Sequence, residues 1–212
     1  AKGLLLAAII ATKYLWHPDW PLHRYDALFL FAIATQVIFL WAKLETWEEA
    51  RVILLFHLTG TAMEWFKVHA GSWSYPEPGI FKLMGVPLFS GFMYAAVGSY
   101  IARISRIFDM RYSGYPREWL TFLLVLGIYV NFFTHHYVWD MRWLLFAATV
   151  LLFLRTSVHY RVFRFRHRMP LLLGFFLVAL FIWVAENIGT YSRAWLYPGQ
   201  ENGWTPVSLG KL

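Results

Sequence analysis

The chain has 212 residues, of which 59% are hydrophobic, 20% aromatic and 15% charged, and its mean hydropathy is positive. Soluble domains usually carry about a quarter charged residues, so this composition argues against a soluble domain. The absence of cysteine excludes disulfides, thiolate metal sites and iron–sulfur clusters from the chain.

Apolar residues occur in long blocks separated by short polar segments. A block of about 17–20 apolar residues matches the roughly 30 Å hydrocarbon thickness of a bilayer. We therefore predict an all-α, polytopic membrane bundle, with a shorter first helix followed by six full transmembrane helices. The seven blocks are 4–15, 26–42, 50–66, 85–102, 119–134, 143–158 and 169–185.

The net charge of +7 is concentrated in two arginine-rich loops, 103–117 and 155–168. Basic loops stay on the cytoplasmic side of a membrane, so the charge indicates topology and membrane lipids as partners, and not nucleic acid. We predict a multi-pass protein of the bacterial inner membrane with both loops in the cytoplasm.

A glutamate followed by Trp, Tyr and Pro at +9, +11 and +12 occurs twice. Every member of the second copy lies 122 residues after its counterpart, and each copy ends an apolar block. We infer a tandem, parallel repeat within a single membrane domain, 1–212, with halves 1–106 and 117–212. The copies are Glu64, Trp73, Tyr75 and Pro76, then Glu186, Trp195, Tyr197 and Pro198.

Carboxylates within apolar segments are costly and are usually functional, so Glu64 and Glu186 are predicted catalytic residues. His57 shares a helical stripe with Glu64 and is a third candidate, although a buried imidazole bonded to a carbonyl would explain it equally well. Polar and aromatic side chains near the same segment ends are predicted to bind substrate. They are Trp73, Tyr75, Asn131, His135, Asn187, Trp195 and Tyr197.

These histidines and glutamates include residue types that zinc and iron prefer. The sequence nevertheless contains neither an HExxH motif nor repeated HxxxH spacings. We therefore predict no cofactor, and a metal site at these residues stays an alternative.

Several runs resemble the YoaT-type family of bacterial integral membrane proteins, over nearly the whole chain. They include "FHLTGTAMEWFKVHAGSWSYPEP", "YVNFFTHHY" and "GWTPVSLGKL". This resemblance implies that the protein continues past Leu212 into another helix.

A remoter resemblance covers residues 60–90. The order Gly60, Glu64, Gly71, Trp73 and Tyr75, followed by "GVP", is similar to membrane carotenoid hydratases and small-domain lycopene cyclases. Those families protonate a polyene with a membrane-embedded acid, which implies an acid–base enzyme of the lyase or isomerase type acting on an isoprenoid or other lipid.

Two other functions remain open from the residues alone. Paired intramembrane acids at a repeat interface also suit a transporter or a small-molecule binder. An aromatic-rich helical protein also suits an accessory subunit that packs on a larger membrane complex. The predicted partners are accordingly a hydrophobic small-molecule substrate or pigment, or another membrane protein.

Overall fold

The computed structural model describes residues 2–211. Within that range the chain forms seven α-helices, five short strands and a final 3-10 turn, Leu209–Lys211. The helices are α1 (Lys2–Leu15), α2 (Arg24–Trp41), α3 (Trp47–His69), α4 (Phe89–Ile107), α5 (Glu118–Thr134), α6 (Arg142–Phe153) and α7 (Leu171–Tyr191). The strands are β1 (Lys82–Leu83), β2 (Val86–Pro87), β3 (Arg111–Ser113), β4 (Ser157–Val162) and β5 (Phe165–Pro170).

The predicted all-α bundle of seven transmembrane helices is wrong. The described residues also form two antiparallel sheets, and within residues 2–211 two helices, α2 and α7, have the length and hydropathy to cross a membrane. The 12 residues of α6 span about 18 Å, which is short of a hydrocarbon core of roughly 30 Å. Helix α3 is long enough, but Glu48, Glu49, Arg51 and Lys67 lower its hydropathy.

The chain forms two compact units, one of Ala1–Ala102 with Ile182–Leu212 and one of Arg103–Phe181. Both glutamate motifs belong to the first unit. The halves 1–106 and 117–212 were defined by sequence offset, and they stay a prediction.

The first unit has a buried core of aliphatic and aromatic side chains. It includes residues from α1, α2 and α4 together with Tyr75 and Trp195 from the two motifs. Burial of apolar surface is the main stabilising contribution to a fold. Because Tyr75 and Trp195 are buried here, the two motif loops contribute to the stability of the first unit. The core residues are Leu5, Ile9, Tyr25, Leu28, Tyr75, Val86, Phe89, Ala194 and Trp195.

Helix α3 has clear signals at both ends. Thr46 and Glu49 form a capping box, in which the Thr46 side chain accepts from the Glu49 backbone N–H and the Glu49 carboxylate accepts from that of Thr46. Beyond the helix, Gly71 has a φ of 72°, a left-handed conformation that glycine adopts without strain. The chain then turns back toward Glu64.

A tight hairpin follows the first motif. Strands β1 and β2 pair through Lys82↔Pro87 and Leu83↔Val86. The two connecting residues, Met84 and Gly85, both have positive φ, as a two-residue hairpin turn requires. The apolar block 85–102 therefore begins with a strand, and α4 starts only at Phe89.

The second unit contains α5, α6 and a three-stranded sheet in the order β3–β4–β5. The predicted cytoplasmic loops 103–117 and 155–168 contain most of these strand residues. The apolar block 143–158 likewise divides, because α6 ends at Phe153 and β4 begins at Ser157. Alternating Arg and aromatic residues favour a strand over a helix here.

Candidate functional site

The helices that carry the two glutamates end in the same way. After α3, the N–H groups of residues 70, 71 and 72 donate to the carbonyls of 66, 68 and 67. After α7, residues 192, 193 and 194 donate to 188, 190 and 189, which are the positions 122 residues later. Arg193 also has a positive φ, like Gly71. The two chain segments thus leave their helices along equivalent paths.

The loops that follow pair with each other. Ser74 and Leu196 form an antiparallel bridge, each N–H donating to the other's carbonyl at 2.9 Å. These two residues are also 122 apart, so equivalent positions of the two motifs meet. A contact between equivalent positions implies a local twofold axis through the bridge.

Glu64 is 3% exposed and accepts three hydrogen bonds. Its Oε2 accepts from Trp73 Nε1 at 2.7 Å and Tyr75 OH at 2.8 Å, and its Oε1 accepts from Tyr94 OH at 2.8 Å. Burial raises the pKa of this carboxyl, and the three hydrogen bonds oppose that rise. The balance favours the protonated form more than in water.

Glu186 has the equivalent pair of donors. Its Oε2 accepts from Tyr197 OH at 2.6 Å and from Trp195 Nε1 at 3.3 Å. The +9 and +11 spacing of the sequence therefore corresponds to the same two hydrogen bonds in both copies. Glu186 is half-buried, so this carboxylate is more accessible than that of Glu64.

The two carboxylates share one site. The rings of Trp73 and Tyr197 pack edge to face with centroids 6.1 Å apart, which joins the donors of one glutamate to those of the other. The charge of Glu186 contributes to the raised pKa of Glu64, after burial. Burial, followed by both glutamate charges, also raises the pKa of the Tyr197 phenol.

Comparisons with known proteins identify the family of the chain. Residues 2–212 match the family described as a protein of unknown function, DUF817. The chain belongs to the DUF817 family. It is also 45% identical over 210 residues to the uncharacterized protein YoaT of Bacillus subtilis (strain 168), covering 99% of this chain and 79% of that protein.

The predicted YoaT-type relationship is therefore confirmed for this DUF817 chain. No solved structure shows significant similarity to it. The resemblance to carotenoid hydratases and lycopene cyclases is not among these findings, and it stays a hypothesis.

His57 lies on α3, two turns before Glu64, where its described neighbours belong mainly to α4. Its ring packs on Phe92 with centroids 4.4 Å apart, and a Cβ placed on Gly91 would collide with its imidazole. Burial lowers the pKa of this imidazole, and the adjacent Gly91 backbone opposes the change. These contacts describe a histidine packed between two helices of the DUF817 fold.

The other predicted binding residues make local contacts. Asn187 donates to the Trp183 carbonyl at 2.8 Å and accepts from the Val207 N–H at 3.0 Å, so it ties down the C-terminal segment. Asn131 lies in the second unit, where it donates to Asp140 at 3.1 Å. His135 Nδ1 lies 2.9 Å from the Asn131 carbonyl. Their described contacts do not include either glutamate.

Sequence reasoning missed Tyr94, the third donor to Glu64. It comes from α4, 30 residues away, and its ring occupies space that only a glycine leaves open at position 60. A Cβ on Gly60 would lie 2.8 Å from the Tyr94 ring. The only signal in the sequence was Gly60, four residues before Glu64, and nothing in the sequence indicated that the Tyr94 ring packs against this glycine.

Sequence reasoning also missed two buried charged side chains that hold the loop of the first motif. Asp26, fully buried, accepts from the N–H groups of Ile80 and Phe81 at 2.9 and 2.8 Å. Arg24, 6% exposed, donates to Glu77 at 2.6 Å. A buried charge needs such partners, so these contacts fix the loop that carries Tyr75.

Within residues 2–211, no three His, Asp or Glu side chains come together as a metal site would require. A small cavity is present elsewhere in the first unit, and its lining includes neither glutamate. It is lined by Leu5, Phe31, Ala32, Thr35, Gln36, Glu45, Ile53, Phe92, Ala95 and Ala96.

Proposed function

We propose that this DUF817 chain is a membrane enzyme that moves a double bond in an apolar, isoprenoid-like molecule by acid–base chemistry at Glu64 and Glu186. The observation that carries the proposal is the pair of carboxylates in one aromatic site, one buried and one half-buried. Two neighbouring acids in environments that differ in burial are typical of acid–base pairs in enzymes.

The reaction balances without a further reactant. Protonated Glu64 gives its proton to one alkene carbon, and the two π electrons form the new C–H bond. The neighbouring carbon becomes a cation, which the faces of Trp73 and Trp195 would stabilise. The Glu186 carboxylate then removes a proton from the next carbon, whose C–H electrons form the shifted double bond. Proton exchange with solvent restores both acids.

A membrane location supports an apolar substrate. Helix α7, which carries Glu186, is 21 residues long, and only 6% of its most apolar window is buried. Phe176 and Phe181 on this helix are 51% and 57% exposed, an unusual display for a helix surrounded by water. We propose that α7 lies in the bacterial inner membrane, with the basic segments on its cytoplasmic side.

A proton-coupled transporter or binder is the second candidate. The observation that favours it is the saturation of Glu64, whose carboxylate already accepts three protein hydrogen bonds. A carboxylate held in this way suits proton storage as well as proton donation to a substrate. Uptake of a solute into proteoliposomes that depends on a pH gradient would favour this candidate.

The test compares lipid extracts of cells that produce the wild-type chain, E64Q, E186Q or E118Q. Glu118 is an exposed glutamate at the start of α5, so E118Q makes the same substitution outside the site. We expect an isoprenoid product, identified by its mass and retention time, with wild type and E118Q only. Each variant is first checked for membrane yield and thermal unfolding.

Two results would contradict the enzyme proposal. One is an extract that is the same with and without the chain, and the other is full product from both E64Q and E186Q. If the product is lost in only one of the two variants, a single glutamate is sufficient for the reaction, and the two-residue mechanism is rejected.

A further inference from the structure

The three-stranded sheet of the second unit has a cationic face. Residues that pair across antiparallel strands share a face, and so do residues two apart along a strand. Arg111 pairs with His159, His159 with Arg168, and Arg161 with Arg166. Four arginines and a histidine from three strands therefore lie on one face.

The opposite face is mainly aromatic and aliphatic, and it is buried only at one end, since Phe165 on the same face is 73% exposed. It carries Val158, which is 2% exposed, and its cross-strand partner Met169, which is half-buried. The four arginines of the cationic face are all exposed. Arg111 and Arg166 are accordingly 64% and 60% exposed.

The charge on the cationic face is poorly compensated by the described residues. In residues 2–211, the recorded ion pairs of this face both go to Asp109, at 3.4 Å from Arg111 and 3.7 Å from Arg166. Arg161 and Arg166 lie directly opposite each other, and like charges in such a pair destabilise a sheet. An anion bound from outside the protein would offset this repulsion between arginines.

Two features favour a membrane over a nucleic acid as the source of that anion. The hairpin turn presents Phe163, 94% exposed, beside Arg164, the pairing of apolar ring and cation that suits a lipid headgroup boundary. Strand β5 ends at Pro170 and α7 begins at Leu171, so the sheet is joined without a linker to a helix apolar enough to cross a bilayer.

We propose that this sheet docks on the anionic surface of a lipid leaflet, with its arginine face on lipid phosphates and Phe163 in the interfacial layer. The proposal uses the membrane location and is independent of chemistry at the glutamates. Each arginine near an anionic membrane strengthens binding about fivefold, so removing two weakens it roughly 30-fold.

The experiment measures thermal stabilisation of the detergent-purified full chain against added lipid. Phosphatidylglycerol should raise the unfolding temperature, and phosphatidylcholine should not. In R161Q/R166Q the apparent affinity for phosphatidylglycerol should fall roughly 30-fold, whereas R161K/R166K should keep most of it. The matched control is K43Q/R51Q, which removes two exposed charges outside the sheet.

Three outcomes would overturn the proposal. They are equal stabilisation by phosphatidylcholine, equal stabilisation by inorganic phosphate alone, and tighter binding of an RNA oligonucleotide than of phosphatidylglycerol. If R161Q/R166Q fails to fold, R168Q tests the same face with one charge, and unchanged phosphatidylglycerol affinity in R168Q would count against it. Activity of the glutamate site does not enter this measurement, so the two proposals can fail separately.

Discussion

The Glu64 and Glu186 motifs have the same local geometry and different surroundings. Each glutamate accepts from an indole nine residues on and a phenol eleven residues on. Glu64 has in addition a donor from α4 and is 3% exposed, whereas Glu186 is half-buried. A repeated sequence motif can thus give two acids the same hydrogen bonds and different solvent access. In the proposed mechanism, this difference in burial assigns Glu64 as the acid and Glu186 as the base.

Replacing each glutamate by leucine should have the largest and most unequal effect. E64L leaves three donors without an acceptor in the protein interior, at about 1–3 kcal/mol each, and we expect a loss of about 3–5 kcal/mol of stability. E186L should cost about 1–2 kcal/mol, since it removes the acceptor of only two donors and one of them, Tyr197, is half-buried. Denaturant unfolding in detergent measures both, and equal losses would show that the two sites are buried alike.

Glycine-to-alanine substitutions disturb one motif at a time. A Cβ on Gly189 would overlap the Trp195 ring, and one on Gly60 would approach the Tyr94 ring. Because overpacking costs about 1–3 kcal/mol, more than the helix propensity alanine adds, both variants should be destabilised. Tryptophan fluorescence should change in G189A. An unchanged Tm in both would mean that the rings move aside freely, and G174A serves as a control in the second unit.

Removing the Tyr94 hydroxyl should make the two glutamates more alike in hydrogen bonding but raise the pKa of Glu64 further. Of the three hydrogen bonds that lower the pKa of Glu64, the one from Tyr94 has the largest effect. A folded pKa above the ordinary value of 4.5 gives stabilisation that is complete below that pH and is lost as pH rises through the folded pKa.

In Y94F this loss should therefore extend to higher pH, with about 1–2 kcal/mol less stability at neutral pH. Unfolding midpoints measured from pH 4 to pH 9, compared with Y129F at an exposed tyrosine, check the shift. An identical pH profile in Y94F and wild type would show that the Tyr94 hydroxyl does not affect the ionisation of Glu64.

The smallest expected effect concerns the equivalent left-handed residues after the two helices. Gly71 has a φ of 72° and Arg193 a φ of 55°. G71A should destabilise by about 1 kcal/mol, whereas R193G should stabilise by about 0.5–1 kcal/mol, because only a non-glycine residue is strained there. Paired Tm measurements test the opposite signs. The same sign for both would show that the Arg193 side chain contributes more than its backbone strain.

The sequence determined the local geometry of the site because that geometry depends on spacing within one segment. The helix ends five residues after each glutamate, and a left-handed residue follows at +7. The chain then returns over the helix end, which brings the side chains at +9 and +11 to the carboxylate. Spacing alone was enough to identify these donors, and the 122-residue offset identified both copies.

Contacts between distant segments were decided only by the tertiary structure. Tyr94 reaches Glu64 from another helix, and Ser74 meets Leu196 across the whole repeat. Within residues 2–211, only the apolar blocks 26–42 and 169–185 correspond to helices long and apolar enough to cross a membrane. In the block 143–158, strand pairing of the arginine-rich segment competes with helix formation, and no local pattern identifies the partner strand. Composition therefore set the apolar character of the chain, while packing decided which acid is buried and where the basic residues form a surface.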